Sequence, residues 1–466
     1  MTSPATIWQQ FTLTHFSPHR WRGGSFLYRI GGSLRSWRRG SWLLEWGEPL
    51  GMILVALIFG LAPFVGTALI GVLLIACAGF WVILTLSDDP SEVAFTPIHL
   101  LVLLYWGIAT AATALSPVKE AAFGGWVKLT LYLLLFFLMA RVLRSPRLRS
   151  LFITFYLHIA LIVSVYGLRQ WFFGVEALAT WVDPTSAQAD LTRIYSYLGN
   201  PNLLAGYLIP AVGLSLGAIF AWRGLMPKLL AITMTVLNSA CLVLTFSRGG
   251  WIGFVALMLA FAILLLYWMS QYFSPFWQKW AVPAGAGGLA VLLAVAVMTV
   301  PPLRDRVASI FAGRSDSSNN FRLNVWAAVI EMIRDRPLLG IGPGNDAFNK
   351  VYPLYMRPRY SALSAYSVLL EVMVETGVVG FAAFLWLLLV TFNQGWVQLR
   401  WLREWNNPQG FWLIAAIAVM AGMLAHGLVD TVWYRPQINT LWWLMVAIIA
   451  SYYSAGSRES VLGSRE

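Results

Sequence analysis

The chain has 466 residues, of which 59% are hydrophobic, 15% aromatic and only 11% charged, and its mean hydropathy is +0.68. A water-soluble domain carries roughly a quarter charged residues and about half apolar ones, so these figures exclude a soluble enzyme and equally a disordered chain. The formal charge of +12 comes from 32 Lys and Arg against 20 Asp and Glu. No nucleic-acid-binding motif accompanies it, so no nucleic acid partner is expected, and the surplus is read as sorting of Lys and Arg to one side of a membrane. Cys77 and Cys241 both lie in apolar runs, where thiols behave as small hydrophobes. Neither a disulfide framework, a metal site nor a cofactor is expected from them.

Residues 1–47 lack an uninterrupted apolar stretch near the start, which argues against a cleaved signal peptide. They hold Arg20, Arg22, Arg29, Arg35, Arg38 and Arg39, with Leu27, Ile30, Leu34 and Trp37 at helical spacing between them. Two readings stand side by side: a basic amphipathic helix on an anionic membrane face, or a frayed basic tail.

A membrane-spanning helix needs about 20 mostly apolar residues. Such runs occur at 48–64, 67–87, 97–116, 121–142, 149–172, 201–221, 229–246, 250–269, 281–300, 377–394, 410–430 and 437–455. The first two are separated only by Pro63 to Gly66 and form either a short hairpin or one re-entrant unit. The pattern predicts an all-α polytopic membrane protein with about 12 (10–12) spans. Its organisation is a basic cytoplasmic segment (1–47), nine helices (48–300), a large outer loop (301–376), three helices (377–455) and a cytoplasmic tail (456–466).

Placing the N-terminus in the cytoplasm and alternating sides puts Arg141, Arg144, Arg147, Arg149, Arg223, Lys228, Lys279, Arg400, Arg403, Arg458 and Arg465 inside. Residues 88–96, with Asp88, Asp89 and Glu92, contain no basic residue, but acids weigh little in this rule. Both termini are expected in the cytoplasm of the inner (plasma) membrane, with the thylakoid membrane as the other candidate. The long outer loop reads as helical from Phe321 to Arg334 and from Ser364 to Glu375, around a Pro/Gly-rich turn from Pro337 to Gly344. A smaller outer loop, 173–200, carries Glu176, Asp183 and Asp190.

Chemistry is expected where polar groups share one side. Arg248 lies at the outer junction of two apolar runs, and Arg322 opens the first helix of the large loop. Two guanidinium forks facing one cavity suit a diphosphate, a carboxylate or bicarbonate, while the bland reading of each is a snorkelling or salt-bridged arginine. Asn200 or Asn202 can cap the sixth span with Pro201 in its first turn, and the same helix start offers amides to an anion. Gly340, Gly342 and Gly344 read as a tight turn needing positive φ rather than a phosphate loop, since they follow a helix and lack the P-loop Lys and Ser/Thr.

His426 and Asp430 are four apart near the end of the eleventh span and so are expected on one helical face. They read either as a base with its orienting acid or as a polar contact between helices, with Arg435 as a further partner. His158 and His99 read as satisfied by neighbouring helices, and Lys128 is a lone intramembrane base.

Taken in order, Asn200-Pro201-Asn202, Ser247-Arg248-Gly249, Arg322-x3-Trp326, Pro337-Leu338-Leu339-Gly340-Ile341-Gly342 and Glu375-Thr376-Gly377 resemble the O-antigen ligase and polymerase superfamily over about residues 195 to 435. Four stretches look more closely like the cyanobacterial IctB group, a group named for inorganic carbon accumulation and often labelled a bicarbonate transporter. They are Thr96-Pro97-Ile98-His99, Tyr195 to Asn202, Asp316 to Arg322 and His426 to Thr431.

The superfamily resemblance implies an O-antigen-ligase-like fold and metal-independent transfer of a glycan from a polyprenyl diphosphate held by Arg248 and Arg322. Gly340, Gly342, Gly344, Glu375 and Gly377 would then shape the loop. The ligase His-Asn pair falls on Tyr366 and Ser367, and a phenol with a pKa of about 10 is a poor general base at neutral pH. The catalytic candidates are therefore His426, Asp430 and Tyr366. Bicarbonate transport stands first among the expectations, glycan transfer second, and a non-catalytic partner role in a carbon-uptake or envelope complex third. The partners implied are membrane lipid and either bicarbonate or a polyprenyl-diphosphate glycan.

Overall fold

The computed structural model describes residues 4–14, 35–88, 95–175, 193–299, 304, 308 and 313–453, and the regular elements among them are all helical. Three short helices come first: α1 (Pro4–Phe11), α2 (Arg35–Gly40) and α3 (Trp42–Glu45). Nine long ones follow, α4 (Gly47–Leu61), α5 (Thr67–Ser87), α6 (Pro97–Ala114), α7 (Lys119–Val142), α8 (Pro146–Phe173), α9 (Pro201–Ala221), α10 (Leu225–Leu244), α11 (Arg248–Met269) and α12 (Pro275–Thr299). Past the loop helices α13 (Ser317–Asp335) and α14 (Asn345–Val351) come α15 (Val368–Glu404), α16 (Gly410–Gly427) and α17 (Pro436–Ser451). Each apolar run expected from the sequence coincides with one of these helices.

Among the described residues nine helices, α5 to α11, α15 and α16, are long and apolar enough to cross a bilayer. The chain is an all-α polytopic membrane protein. The uncertain first pair resolves as a helical hairpin, α4 and α5, joined by residues 62–66. At 15 residues, α4 is only about 22 Å long and shorter than the hydrocarbon core.

Helix starts follow local capping chemistry. Thr96, Ser145, Asn200, Ser247 and Asp316 each sit in extended backbone and accept a hydrogen bond from the first turn of α6, α8, α9, α11 and α13. Pro follows the cap in the first three, where a missing N–H costs nothing. The most apolar stretches of α9 and α16 are 83% and 78% buried, whereas those of α5, α10 and α11 are only 28%, 28% and 22% buried, so α9 and α16 form the centre and the others the lipid-facing rim. Packing at the centre depends on small residues. A methyl group on Gly253 would stand 2.7 Å from the Gly422 carbonyl oxygen, so α11 and α16 approach backbone to backbone.

Helix ends sort into two faces. On one, Arg141 binds Glu48 at 2.7 Å and, together with Arg38, binds Asp88. Asp88, at the end of α5, thus finds its counter-charges on α2 and α7. Arg149 joins the same face, donating to Gln409 and Ser451 and stacking 3.7 Å from the Tyr452 ring centroid. Arg403 donates to Ser270 Oγ at 2.8 Å beside them.

The other face carries the large loop, which has its own core of Val325, Val329, Met332, Phe348, Tyr352 and Val374. Helix α13 starts at Ser317, four residues before the expected start, because Asp316 caps it. The short α14 was not foreseen. The second expected loop helix begins at Val368 rather than Ser364, since Tyr366 has φ +51° and Ser367 is extended, and it continues into the next span through a break at Gly377.

At the N-terminus, Phe11 stacks on Trp386 of α15, whose indole donates to the Phe11 carbonyl at 2.8 Å. α1 therefore packs along a spanning helix, where a surface segment was expected. The proposed amphipathic stretch through Leu27, Ile30 and Leu34 lies outside the described residues, as do Asp89, Glu92, Glu176, Asp183, Asp190, Arg458 and Arg465.

Candidate functional site

Two stretches weighed against anion binding in the sequence, the cap at Asn200 and the glycine turn, spend their polar groups on local hydrogen bonds. Asn200 Oδ1 accepts from the amides of Asn202 and Leu203, so the exposed donors of the α9 N-terminus are consumed by its own cap. Gly340, Gly342 and Gly344 have φ of +67°, +95° and +101°, which supplies the turn but no anion cradle. The amides of Ile341 and Gly342 donate to the carbonyls of Val374 and Glu375 at 2.9 Å, and that of Gly344 donates to Glu375 Oε1 at 2.7 Å. Gly377, with φ +66°, lets the Val378 amide reach the Pro337 carbonyl at 2.8 Å. The Glu-x-Gly corner is thus a clasp that holds the glycine turn against α15.

The arginines behave differently. Ser247 caps α11 by accepting from Gly250 N, which puts Arg248 in the first turn, 7% exposed. Its guanidinium grips Asp316 through both nitrogens, at 2.8 and 2.6 Å, and donates to Asn319 Oδ1 at 3.0 Å. Asp316 in turn caps α13. One turn further along α13, Arg322 points to the same space, its Nη2 lying 4.0 Å from Asp430 Oδ2. Between them is a cavity of about 210 Å³ walled by Arg248, Ile252, Asn319, Arg322, Trp326 and Val429. The buried Nε of Arg322 and Nε1 of Trp326 have no hydrogen-bond partner among the described residues. Both are donors, so the groups left unsatisfied there call for an acceptor.

A third arginine, absent from the sequence expectations, completes the cluster. Arg193 donates through Nε to the Thr245 carbonyl at 3.0 Å and through Nη2 to Asn202 Oδ1 at 3.1 Å. Burial pulls its pKa down to about 10; the positive fields of Arg248 and Arg322 act in the same direction, against the pull of Asp430. Its only sequence signal was a position seven residues before Asn200, in a loop whose other charges were acidic. Among the described residues three guanidinium groups therefore gather with two carboxylates, Asp316 and Asp430.

His426 is 2% exposed, wedged against Gly206, Gly249 and Gly253, with a buried Nε2 that has no hydrogen-bond partner among the described residues. Its expected pairing with Asp430 on one helical face does not hold. Helix α16 ends at Gly427, so Asp430 lies in the following turn and addresses Arg322. Arg435 stacks over Tyr434 at 5.2 Å. Tyr366 meets Phe321 edge to face, and its hydroxyl is pushed up to about 12, by burial first and by Asp430 and Tyr434 after it, against the field of Arg322. It is a neutral phenol at any physiological pH.

Outside the cluster, His99 bonds Thr96 Oγ1, its own helix cap, at 2.6 Å, and His158 bonds the Thr154 carbonyl one turn back at 2.8 Å, so both are satisfied within their own helices rather than by neighbouring ones. Lys128 pairs with Asp346 at 3.1 Å.

Residues 233–385, roughly a third of the chain, match the Wzy_C family model, described as O-Antigen ligase. No curated protein matches the chain. The matched stretch runs from within α10 into α15 and contains Arg248, Asp316, Arg322 and the glycine clasp, while Arg193, Asn200, Asn202, His426 and Asp430 lie outside it. The chain is thus a multi-pass membrane protein with an O-antigen-ligase-like region, and this match does not extend to the IctB likeness or to bicarbonate.

Proposed function

We propose that the protein transfers a glycan from a polyprenyl diphosphate carrier to a hydroxyl-bearing acceptor, with Arg322 and Arg248 holding the diphosphate. One observation carries this reading: the two arginines inside the O-antigen-ligase match line the same cavity, where buried donors await an acceptor. Guanidinium forks match phosphate oxygens bidentately and stabilise the charge that develops on a departing diphosphate. In the transfer, the acceptor oxygen forms a bond to the anomeric carbon as that carbon's bond to phosphate oxygen breaks. The bonding pair leaves on the diphosphate, against the arginines. The acceptor's proton needs a base, and Tyr366 at the ligase histidine position is a phenol that binds its proton too tightly to serve. His426 is the remaining imidazole near Arg322 and Asp430, and its Nε2 is the atom that would take the proton.

In this reading residues 301–376 form the outer loop, both termini lie in the cytoplasm of the inner membrane, and the helix face rich in arginine ion pairs faces inward, as the positive-inside rule requires. Bicarbonate passage, the first expectation from resemblance, would draw on the same arginines, but the family match favours the transferase. The deciding experiment supplies undecaprenyl-diphosphate-linked, labelled glycan and a glycolipid acceptor to the purified protein in nanodiscs. Transfer by wild type that is lost in Arg322→Ala supports the reading. Absence of transfer, together with arginine-dependent uptake of labelled bicarbonate into liposomes, overturns it.

A further inference from the structure

A second cavity, of about 150 Å³, lies where α7, the start of α15 and the α16–α17 turn meet. Its walls include Glu371, Glu375, Thr431 and Asn439 together with the rings of Tyr132 and Trp433. Glu371 and Glu375 are four apart on α15 and both line this space. Glu371 Oε2 accepts from the Ala365 amide at 2.7 Å and Glu375 Oε1 from Gly344, and neither carboxyl has an ion-pair partner among the described residues. Lys128, on the same wall, is turned to Asp346.

The pattern of unsatisfied atoms is specific. Glu371 Oε1, Thr431 Oγ1 and Asn439 Oδ1 are all buried without a hydrogen-bond partner among the described residues. Glu371 is 7% exposed and Thr431 3%. Asn439 Nδ2 donates to the Trp433 carbonyl at 3.0 Å, which leaves its amide oxygen as the spare group. Three oxygens that lack donors, two carboxyl groups that lack a cation, and aromatic faces beside them describe one complement. A primary ammonium brings three N–H donors and one positive charge, and it is attracted to π faces. An uncharged hydroxyl group brings one donor to a wall where three oxygens stand open.

We propose that this cavity binds a primary ammonium group, carried either by an amino sugar or by an aminoethyl lipid headgroup. The inference stands on this cavity alone and does not depend on the diphosphate reading of the arginine cluster.

The test is calorimetric titration of the full chain in phosphatidylglycerol nanodiscs with D-glucosamine, N-acetylglucosamine, D-glucose and ethanolamine, alongside native mass spectrometry after exchange into phosphatidylethanolamine. Glucosamine binding about tenfold or more tighter than either uncharged sugar, and weakened about tenfold by Glu371→Gln, is the expected result for an amino sugar. Retention of phosphatidylethanolamine over phosphatidylglycerol, lost in the same variant, is the expected result for a lipid headgroup.

Thermal unfolding monitors the fold of each variant. If Glu371→Gln does not fold, Thr431→Val and Asn439→Leu carry the test, each weakening the bound amine several-fold. Equal binding of charged and uncharged sugars, amine binding indifferent to these substitutions in folded protein, or no amine binding at all, would overturn the proposal. Farnesyl diphosphate binding, read in parallel, reports on the arginine cluster separately, so either site can fail without the other.

Discussion

Arg322→Ala tests the anion site more cleanly than Arg248→Ala, because Arg248 also holds Asp316, the cap of α13, and its loss would strip that carboxylate of a two-pronged guanidinium contact at the start of the helix. Arg322 has a looser native contact, 4.0 Å to Asp430, and a side chain 17% exposed, so truncation removes little that stabilises the free protein. A bound phosphate oxygen would give its guanidinium one or two charge-assisted hydrogen bonds, each worth roughly 1.5–3 kcal/mol. Because the site opens partly to water, about 2 kcal/mol is the expected loss, equivalent to a ~30-fold rise in Kd. Freed from Arg322, Asp430 would also repel the ligand, which adds to the loss. The assay is titration of farnesyl diphosphate and of farnesyl monophosphate into wild type and variant in nanodiscs, with thermal unfolding as the fold check. A Kd change below about threefold in a folded variant would refute the assignment of this cavity to the diphosphate.

Asn200→Ala removes a cap and is expected to cost about 1 kcal/mol of stability while leaving diphosphate affinity unchanged, as chemical denaturation and titration of the same sample would show. Gly377→Ala places a methyl group 2.2 Å from the Leu338 carbonyl in a backbone of φ +66°; the clasp should open and the melting temperature fall by several degrees, whereas Val379→Ala on the exposed side of the same turn should leave it unchanged. The Tyr366 hydroxyl titrates at about 12 in the folded chain against about 10 when free. Its contribution to stability is therefore fully present below pH 10 and lost as pH rises from 10 to 12, because the unfolded chain ionises first. Melting curves of wild type should fall relative to Tyr366→Phe across that interval, and the transfer rate between pH 6 and 9 should show no limb that this substitution abolishes.

The helices were legible because a lipid-facing chain must write its spans as long apolar runs, and even the short hairpin of α4 and α5 showed as two runs broken at Pro63 to Gly66. The cap at Asn200 was legible, because Asn before an apolar run has a local mechanism. Arg248 was found because a charge at the end of an apolar run is costly and therefore noticeable, and Arg322 because it opens a loop helix expected on the same side. Arg193 was missed for the opposite reason: it sits in a polar loop where a charge carries no signal, and only tertiary packing buries it under Thr245 and Asn202. The face shared by His426 and Asp430 failed because the periodicity argument assumed helix through residue 430, while α16 stops at Gly427. The cavity at Glu371 and Glu375 was also beyond sequence, since Thr431 and Asn439 reach it from a different part of the chain.

The position of His426 shows how packing at the bundle centre places site chemistry. Helices α9 and α11 bring three glycines against it: added methyl groups would stand 3.3 Å from Cε1 at Gly206, 2.7 Å from Cδ2 at Gly249 and 3.0 Å from Cβ at Gly253. Two backbones thus close around one imidazole, leaving it little choice of rotamer. Two of these glycines lie on the helix that begins with Arg248, so the close approach that seats the imidazole also fixes the first turn from which that guanidinium reaches Asp316. The family match stops at residue 385 and does not contain His426, yet Gly249 and Gly253, which shape its seat, lie inside it. His426 is therefore joined to the matched region by steric fit, beside the Arg193–Thr245 hydrogen bond and the Arg322–Asp430 contact. A base supplied from α16 can consequently keep a fixed relation to the arginines at the ends of α11 and α13, although it comes from a part of the sequence that the match does not reach.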